Sequence, residues 1–217
     1  MSYTIVIGNK NYSSWSMRPW LVLDHFGFDF TEIVVPLDQP ETRAEILQYT
    51  PAGKVPVLLD GSFVVWDSLA IIEYLAEQNP EKGIWPADPR ERARARSLAS
   101  EMHAGFGPLR SACPMNLRKQ FKWKPRGGAD AQKNVDRIEA LVRDQINRFG
   151  GPFLFGDTFG AVDAMYAPVC SRLATYAWPM SELLNAYVDR VLRHKSVARW
   201  REAALQESWT IAKDEVR

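Results

Sequence analysis

Three short stretches combine residue types that can do chemistry. The first is Asn11–Trp20, NYSSWSMRPW, directly after the apolar run YTIVIG. Ser13 and Ser14 fall where a strand-like pattern gives way to a helical one. A helix start carries unpaired N–H groups and partial positive charge. An anionic sulfur held there gains from the dipole and from a hydroxyl hydrogen bond, which brings its thiol pKa toward neutrality. The simpler role for either serine is to cap the helix. The second stretch is Trp66-Asp67-Ser68, again between a strand-like run and a helical one. Asp67 and Ser68 are both good capping residues. The same helix start, with a Ser hydroxyl, is also a carboxylate site, and Asp67 can take an ammonium group. The pair suits an α-amino acid end, which carries both charges. The third is Lys54-Val55-Pro56-Val57, with proline at a strand entry, where it is tolerated and where the bond is sometimes cis. A cis bond would turn the N–H and C=O of Val55 toward the open end of the sheet, to pair with an extended peptide. A trans proline would simply begin an edge strand.

The elements that must position these residues follow from periodicity. TIVIG reads as a strand and SMRPWLVLDHF as a helix, with Pro19 tolerable in its first turn. FTEIVVPL is a second strand and ETRAEILQY a short helix. VPVLLDG and SFVVWD are strands joined at Asp60-Gly61, a strong hairpin signal, and SLAIIEYLAEQ is a helix. The order is βαβαββα, with a parallel opening pair and a late antiparallel hairpin. Prolines 80, 86 and 89 with Gly83 mark a linker. Beyond it only helical periods occur. One helix is predicted over about Pro89–Met115 and one over about Asp130–Phe149. AVDAMYAPVCSRLATYAW is apolar enough for a buried central helix, and SELLNAYVDRVLRH and SVARWREAALQE complete the set. NLRKQFKWKPRGG, between two of these helices, reads either as a mobile loop over a pocket or as a solvated connector.

Composition removes several classes of function. A net charge of +1 gives no overall attraction to nucleic acid or an anionic membrane, and neither is expected as a partner. No apolar run reaches the roughly 20 residues a membrane-spanning helix needs, and no signal peptide is read at the start. Cys113 and Cys170 lie far apart, which fits a reduced, cytoplasmic protein without disulfides. The histidines lack metal-ligand spacing, so no metal is expected.

SSWSMR, Val55-Pro56, Asp67-Ser68, SLAIIEYLAE and AGFGPL together resemble the cytosolic glutathione transferases, over essentially the whole chain. SSWSMR is similar to the Ser-Ser-Cys-Ser-x-Arg motif of the zeta class, the maleylacetoacetate isomerase-like branch, and suggests a bacterial-type member. The resemblance implies a thioredoxin-like glutathione-binding domain over 1–80, a linker over 81–88 and an all-helical bundle over 89–217 carrying the second-substrate site. It implies glutathione as co-substrate. Val55 would hold its cysteinyl backbone, Pro56 would be cis, Asp67 and Ser68 would hold the γ-glutamyl end, and Lys54 would help neutralise the glycyl carboxylate. A serine, Ser13 or Ser14, would bond the thiolate; the first serine of the zeta motif, which corresponds to Ser13, has that role in the class. GAVD, Gly160 to Asp163, is similar to the structural capping box of the family's buried helix.

Two departures bear on the activity. Trp15 stands where the zeta class has cysteine, which disfavours thiol-transfer redox chemistry. The arginine of the zeta central helix is replaced by Thr175, with Arg172 three residues earlier. Trp15, Arg110 and Arg172 are the candidates for the second-substrate site. The implied function is a glutathione transferase of detoxification type that adds the thiolate to a small electrophile, as a cytoplasmic homodimer. Two alternatives remain. One is maleylacetoacetate isomerisation by reversible thiolate addition. The other is a non-catalytic interaction protein on the same fold.

Overall fold

β1 (Tyr3–Gly8) lies at the centre of the N-terminal sheet, in a computed structural model that describes residues 2–216. α1 (Ser14–His25) carries the chain back so that β2 (Phe30–Val35) pairs parallel with β1. After the five-residue α2 (Thr42–Ile46), β3 (Val57–Asp60) pairs antiparallel with the other edge of β1. Gly61-Ser62, one position on from the expected Asp60-Gly61, then turn the chain into β4 (Phe63–Val65): Asp60 still pairs with Phe63, and Gly61 takes the φ of +58° that such a turn requires. The order is β2-β1-β3-β4, and α3 (Ser68–Gln78) closes the predicted βαβαββα unit.

Alternation along the strands divides the sheet into two faces. Ile5, Ile7 and Leu58 face α1 and α3 in a core that continues without a break into the helical C-terminal domain. Val6, Val35 and Val57 face the other way and pack with Ile46 of α2 in a small second cluster. The C-terminal domain comprises α4 (Pro89–Ala104), α5 (Gly107–Ala112), α6 (Gly128–Phe149), α7 (Ala161–Thr175), α8 (Glu182–Leu192) and α9 (Lys195–Gln206). α7 is the predicted central helix, buried on nearly every side and packed on α1, α4 and α8. No helix of the described residues is long and apolar enough to cross a membrane.

The helix expected over Pro89–Met115 is in fact two. α4 ends at Gly105, where a Cβ would stand 2.6 Å from the Glu101 carbonyl oxygen. Phe106 follows at φ +58°, and Pro108 sits in the first turn of α5. The break turns Arg110 back toward α4. Its Nη1 donates to the carbonyls of His103 (3.4 Å) and Gly105 (3.3 Å). The basic stretch between α5 and α6 is a connector whose aromatic residues are docked. Phe121 stacks on Tyr176, and Trp123 meets Trp178 edge-on.

Asp163 fixes the start of α7. It accepts from the Gly160 and Leu154 backbone N–H groups (3.0 and 3.1 Å) and from the Tyr187 hydroxyl (3.1 Å), all in a buried setting. Asp163→Asn turns an amide donor against one of these donors. It is expected to cost about 1–3 kcal/mol, read as a lowered midpoint in urea unfolding; an unchanged midpoint would contradict this role.

Candidate functional site

A cleft of about 530 Å³ opens at the end of the sheet, lined by Trp15, Ala52, Lys54, Val55, Pro56, Trp66, Asp67 and Ser68. Six of the ten residues singled out from the sequence are therefore in one wall. The Val55–Pro56 bond is cis, as is Trp66–Asp67. Lys54 and Asp67 are exposed to the cleft side, whereas Ser68 is fully buried.

The two helix starts divide labour in the same way. At α3, Asp67 is the cap: its Oδ1 accepts from the N–H groups of Leu69 (3.1 Å) and Ala70 (3.5 Å). The next residue, Ser68, is left with a buried hydroxyl that has no hydrogen-bond partner among the described residues. Such an orphan is uncommon in a folded protein, and this one borders the cleft. At α1, Ser13 is the cap. Its Oγ accepts from Ser16 N–H (3.3 Å) and donates to Ser16 Oγ (2.8 Å), which in turn accepts from Gly8 N–H (3.1 Å). The hydrogen of Ser13 is thus committed inside the fold. The next residue, Ser14, accepts from Arg172 Nη2 at 3.2 Å, and its own hydrogen has no acceptor among the described residues.

The remaining candidates gather beside these serines. Arg172 is held by the carbonyls of Cys113 (2.9 Å) and Pro168 (3.2 Å), so its contact with Ser14 is fixed from the helical domain. The guanidinium of Arg110 lies 4.5 Å from the Trp15 ring centre, and that of Arg18 lies 4.3 Å from it. Arg18 is buried, and its Nε and Nη1 have no hydrogen-bond partners among the described residues. Burial, with the charges of Arg110 and Arg172, pushes its pKa down to about 9; Asp67 and Tyr166 act the other way. Burial, with Arg110, pushes Arg172 down to about 10. All three arginines remain cationic at neutral pH, so the α1 start sits in a positive field.

His103, at the end of α4, was not among the sequence candidates. Its Nε2 lies 3.1 Å from Asp67 Oδ2, and its ring meets the edge of Trp15. A lone histidine in a helical pattern offers no spacing signal. Its role appears only once α4 is packed across the cleft.

Two helix starts at one end of a four-stranded sheet, facing a helical bundle, make a thioredoxin-like arrangement. Family models agree: that of the glutathione S-transferase N-terminal domain matches residues 12–78, and that of the C-terminal domain matches 121–203. The chain belongs to the glutathione S-transferase family. It is 31% identical to a maleylacetoacetate isomerase of Pseudomonas aeruginosa over 78% of this chain and 83% of the relative. It is 28% identical to glutathione S-transferase 1 of Dianthus caryophyllus, over 84% and 85%. Among solved structures, it is similar to a glutathione transferase homologue from Burkholderia with bound glutathione, with a TM-score of 0.74 and 25% identity. That match covers 95% of this chain and 100% of the other.

The buried charge of Arg18 is costly to the fold. A cation–π contact returns about 0.5–2 kcal/mol, less than the several kcal/mol needed to desolvate a cation. Arg18→Met is therefore expected to leave the ligand-free protein at least as stable, by about 1 kcal/mol in urea unfolding. A loss above about 2 kcal/mol would contradict this balance.

Proposed function

We propose that this protein is a glutathione transferase in which Ser14, rather than Ser13, donates a hydrogen bond to the glutathione thiolate. The observation that carries the reading is the uncommitted hydrogen of Ser14, beside a Ser13 whose hydrogen is spent on Ser16. Glutathione lies along the cleft. Its γ-glutamyl carboxylate takes the orphan Ser68 hydroxyl and the α3 N-terminus, and its ammonium takes Asp67. Val55 pairs with the cysteinyl backbone, and Lys54 faces the glycyl carboxylate.

On binding, the thiol releases its proton to solvent. Ser14 O–H, the α1 dipole and the nearby arginines stabilise the sulfur anion. A pKa drop of about 1–2 units is worth roughly 1.4–2.7 kcal/mol. The thiolate then forms a carbon–sulfur bond to an electrophile, and the leaving group departs with its electron pair.

A second reading, isomerisation, is favoured by the three guanidiniums of Arg18, Arg110 and Arg172 around Trp15 and Ser14. They suit an anionic electrophile such as maleylacetoacetate, the substrate named for the Pseudomonas relative. The thiolate adds to a double bond, the resulting single bond rotates, and the same carbon–sulfur bond breaks to regenerate the thiolate. Arg172 would then occupy the functional place of the arginine missing at Thr175, whose own hydroxyl bonds the Asn116 carbonyl.

The protein acts as a cytoplasmic homodimer. Phe63 and Trp66, on and just past the edge strand β4, are 57% and 45% exposed and supply an apolar surface for a partner's α4. Sedimentation at micromolar concentration is expected to give the mass of two chains; a single-chain mass would contradict this. The thiolate assignment is tested by titrating the thiolate absorbance of bound glutathione. Ser14→Ala is expected to raise the thiol pKa by about 1–2 units. A larger rise in Ser13→Ala, or none in either variant, would overturn it.

A further inference from the structure

The turn that delivers Ser13 and Ser14 is held by a segment nearly 200 positions away. Asn9, Lys10, Asn11 and Tyr12 are all buried. Buried backbone N–H groups must find acceptors. Those of Tyr12 and Ser13 return to the Asn9 carbonyl (3.1 and 2.8 Å). Those of Lys10 and Asn11 do not bond within the turn. Both donate to one carboxylate, Glu207, at 2.6 and 3.0 Å. Glu207 stands just past α9, where the chain leaves the helical bundle and runs back over the N-terminal domain.

The same segment grips the turn twice more. Arg118 donates to the carbonyls of Glu207 and Trp209 (both 2.7 Å) and to the Tyr12 hydroxyl (2.8 Å). Glu215 accepts from the Tyr12 hydroxyl (2.5 Å) and from Asn116 Nδ2 (2.7 Å), and pairs with Lys119 (3.1 Å). Asn11 Nδ2 in turn donates to Asn116 Oδ1 (3.0 Å). Ile211, between these anchors in the chain, is buried as well.

We propose that residues 207–216 form a strap that sets the thiolate site, with Glu207 as its principal positioning residue. This rests on the assignment of the thiolate to a serine of this motif. Glu207 touches neither glutathione nor electrophile. It acts through the N–H groups of Lys10 and Asn11, which fix where α1 begins and so where the Ser14 hydroxyl points. A catalytic hydrogen bond is sensitive to such placement: an error of about 1 Å can cost on the order of 100-fold in rate. The residues assigned to the tripeptide's other contacts, Lys54, Val55, Asp67 and Ser68, make no hydrogen bond or ion pair with the strap among the described residues. Loosening the strap therefore weakens thiolate stabilisation while leaving glutathione affinity nearly intact.

The test compares the full-length protein with Glu207→Gln, Glu207→Asp and Ser14→Ala. Glu207→Gln turns an amide donor toward one of the two N–H groups. It is expected to speed hydrogen exchange at the amides of Lys10 and Asn11, raise the thiol pKa of bound glutathione and lower kcat about tenfold, with KM for glutathione held within about twofold. Glu207→Asp keeps both oxygens and is expected to recover part of each effect. Should Glu207→Gln fail to fold, Tyr12→Phe, which removes the hydroxyl gripped by Arg118 and Glu215, carries the same thiol titration. Unchanged thiol pKa and kcat in the folded strap variants, with a raised thiol pKa in Ser14→Ala, would overturn the strap alone. An unchanged thiol pKa in Ser14→Ala would instead overturn the serine assignment. The strap would then stand or fall on exchange at Lys10 and Asn11.

Discussion

The site depends on one constraint: a helix start exposes N–H groups that something must satisfy. Two helices, α1 and α3, begin at the same end of the sheet. In each, one residue takes the capping work and the following serine does not. Asp67 caps α3 and leaves Ser68 unpartnered. Ser13 caps α1 and leaves the hydrogen of Ser14 uncommitted. Local satisfaction of the backbone leaves both hydroxyls without an acceptor for their hydrogens among the described residues, and both stand at the positive end of a helix dipole.

The helical domain completes what the sheet begins. α7 supplies Arg172 to Ser14, α5 supplies Arg110 to Trp15, and α4 supplies His103 to Asp67. None of these contacts is local in sequence. They exist because one core joins the sheet to the bundle, so that α1 packs directly on α7 and α9. The crowding of Arg18, Arg110 and Arg172 runs against folding stability, since each cation lowers the pKa of another or is itself partly desolvated.

Much of this was legible in the sequence. The order βαβαββα followed by helices came from periodicity and from Asp60-Gly61, and Val55-Pro56 and Asp67-Ser68 marked the cleft because their types are restrictive. The break between α4 and α5 lies where Gly105, Gly107 and Pro108 crowd into four positions, a breaker signal outweighed by the apolar spacing on either side; the left-handed Phe106 between the glycines is visible only in the backbone. Which serine keeps a free hydrogen was equally hidden: it depends on Ser16 and on Arg172, the second of which is 158 positions from Ser14. The bonds made by Glu207, Arg118 and Glu215 leave no mark in the sequence, because they are set entirely by where the chain returns after α9.

A crystal structure with glutathione bound tests the central claim most directly. The account predicts the cysteinyl sulfur within hydrogen-bond distance of Ser14 Oγ, and the γ-glutamyl carboxylate on Ser68 Oγ. Ser13 would keep its bond to Ser16. A sulfur resting on Ser13, or a carboxylate that leaves the Ser68 hydroxyl unpaired, would contradict it.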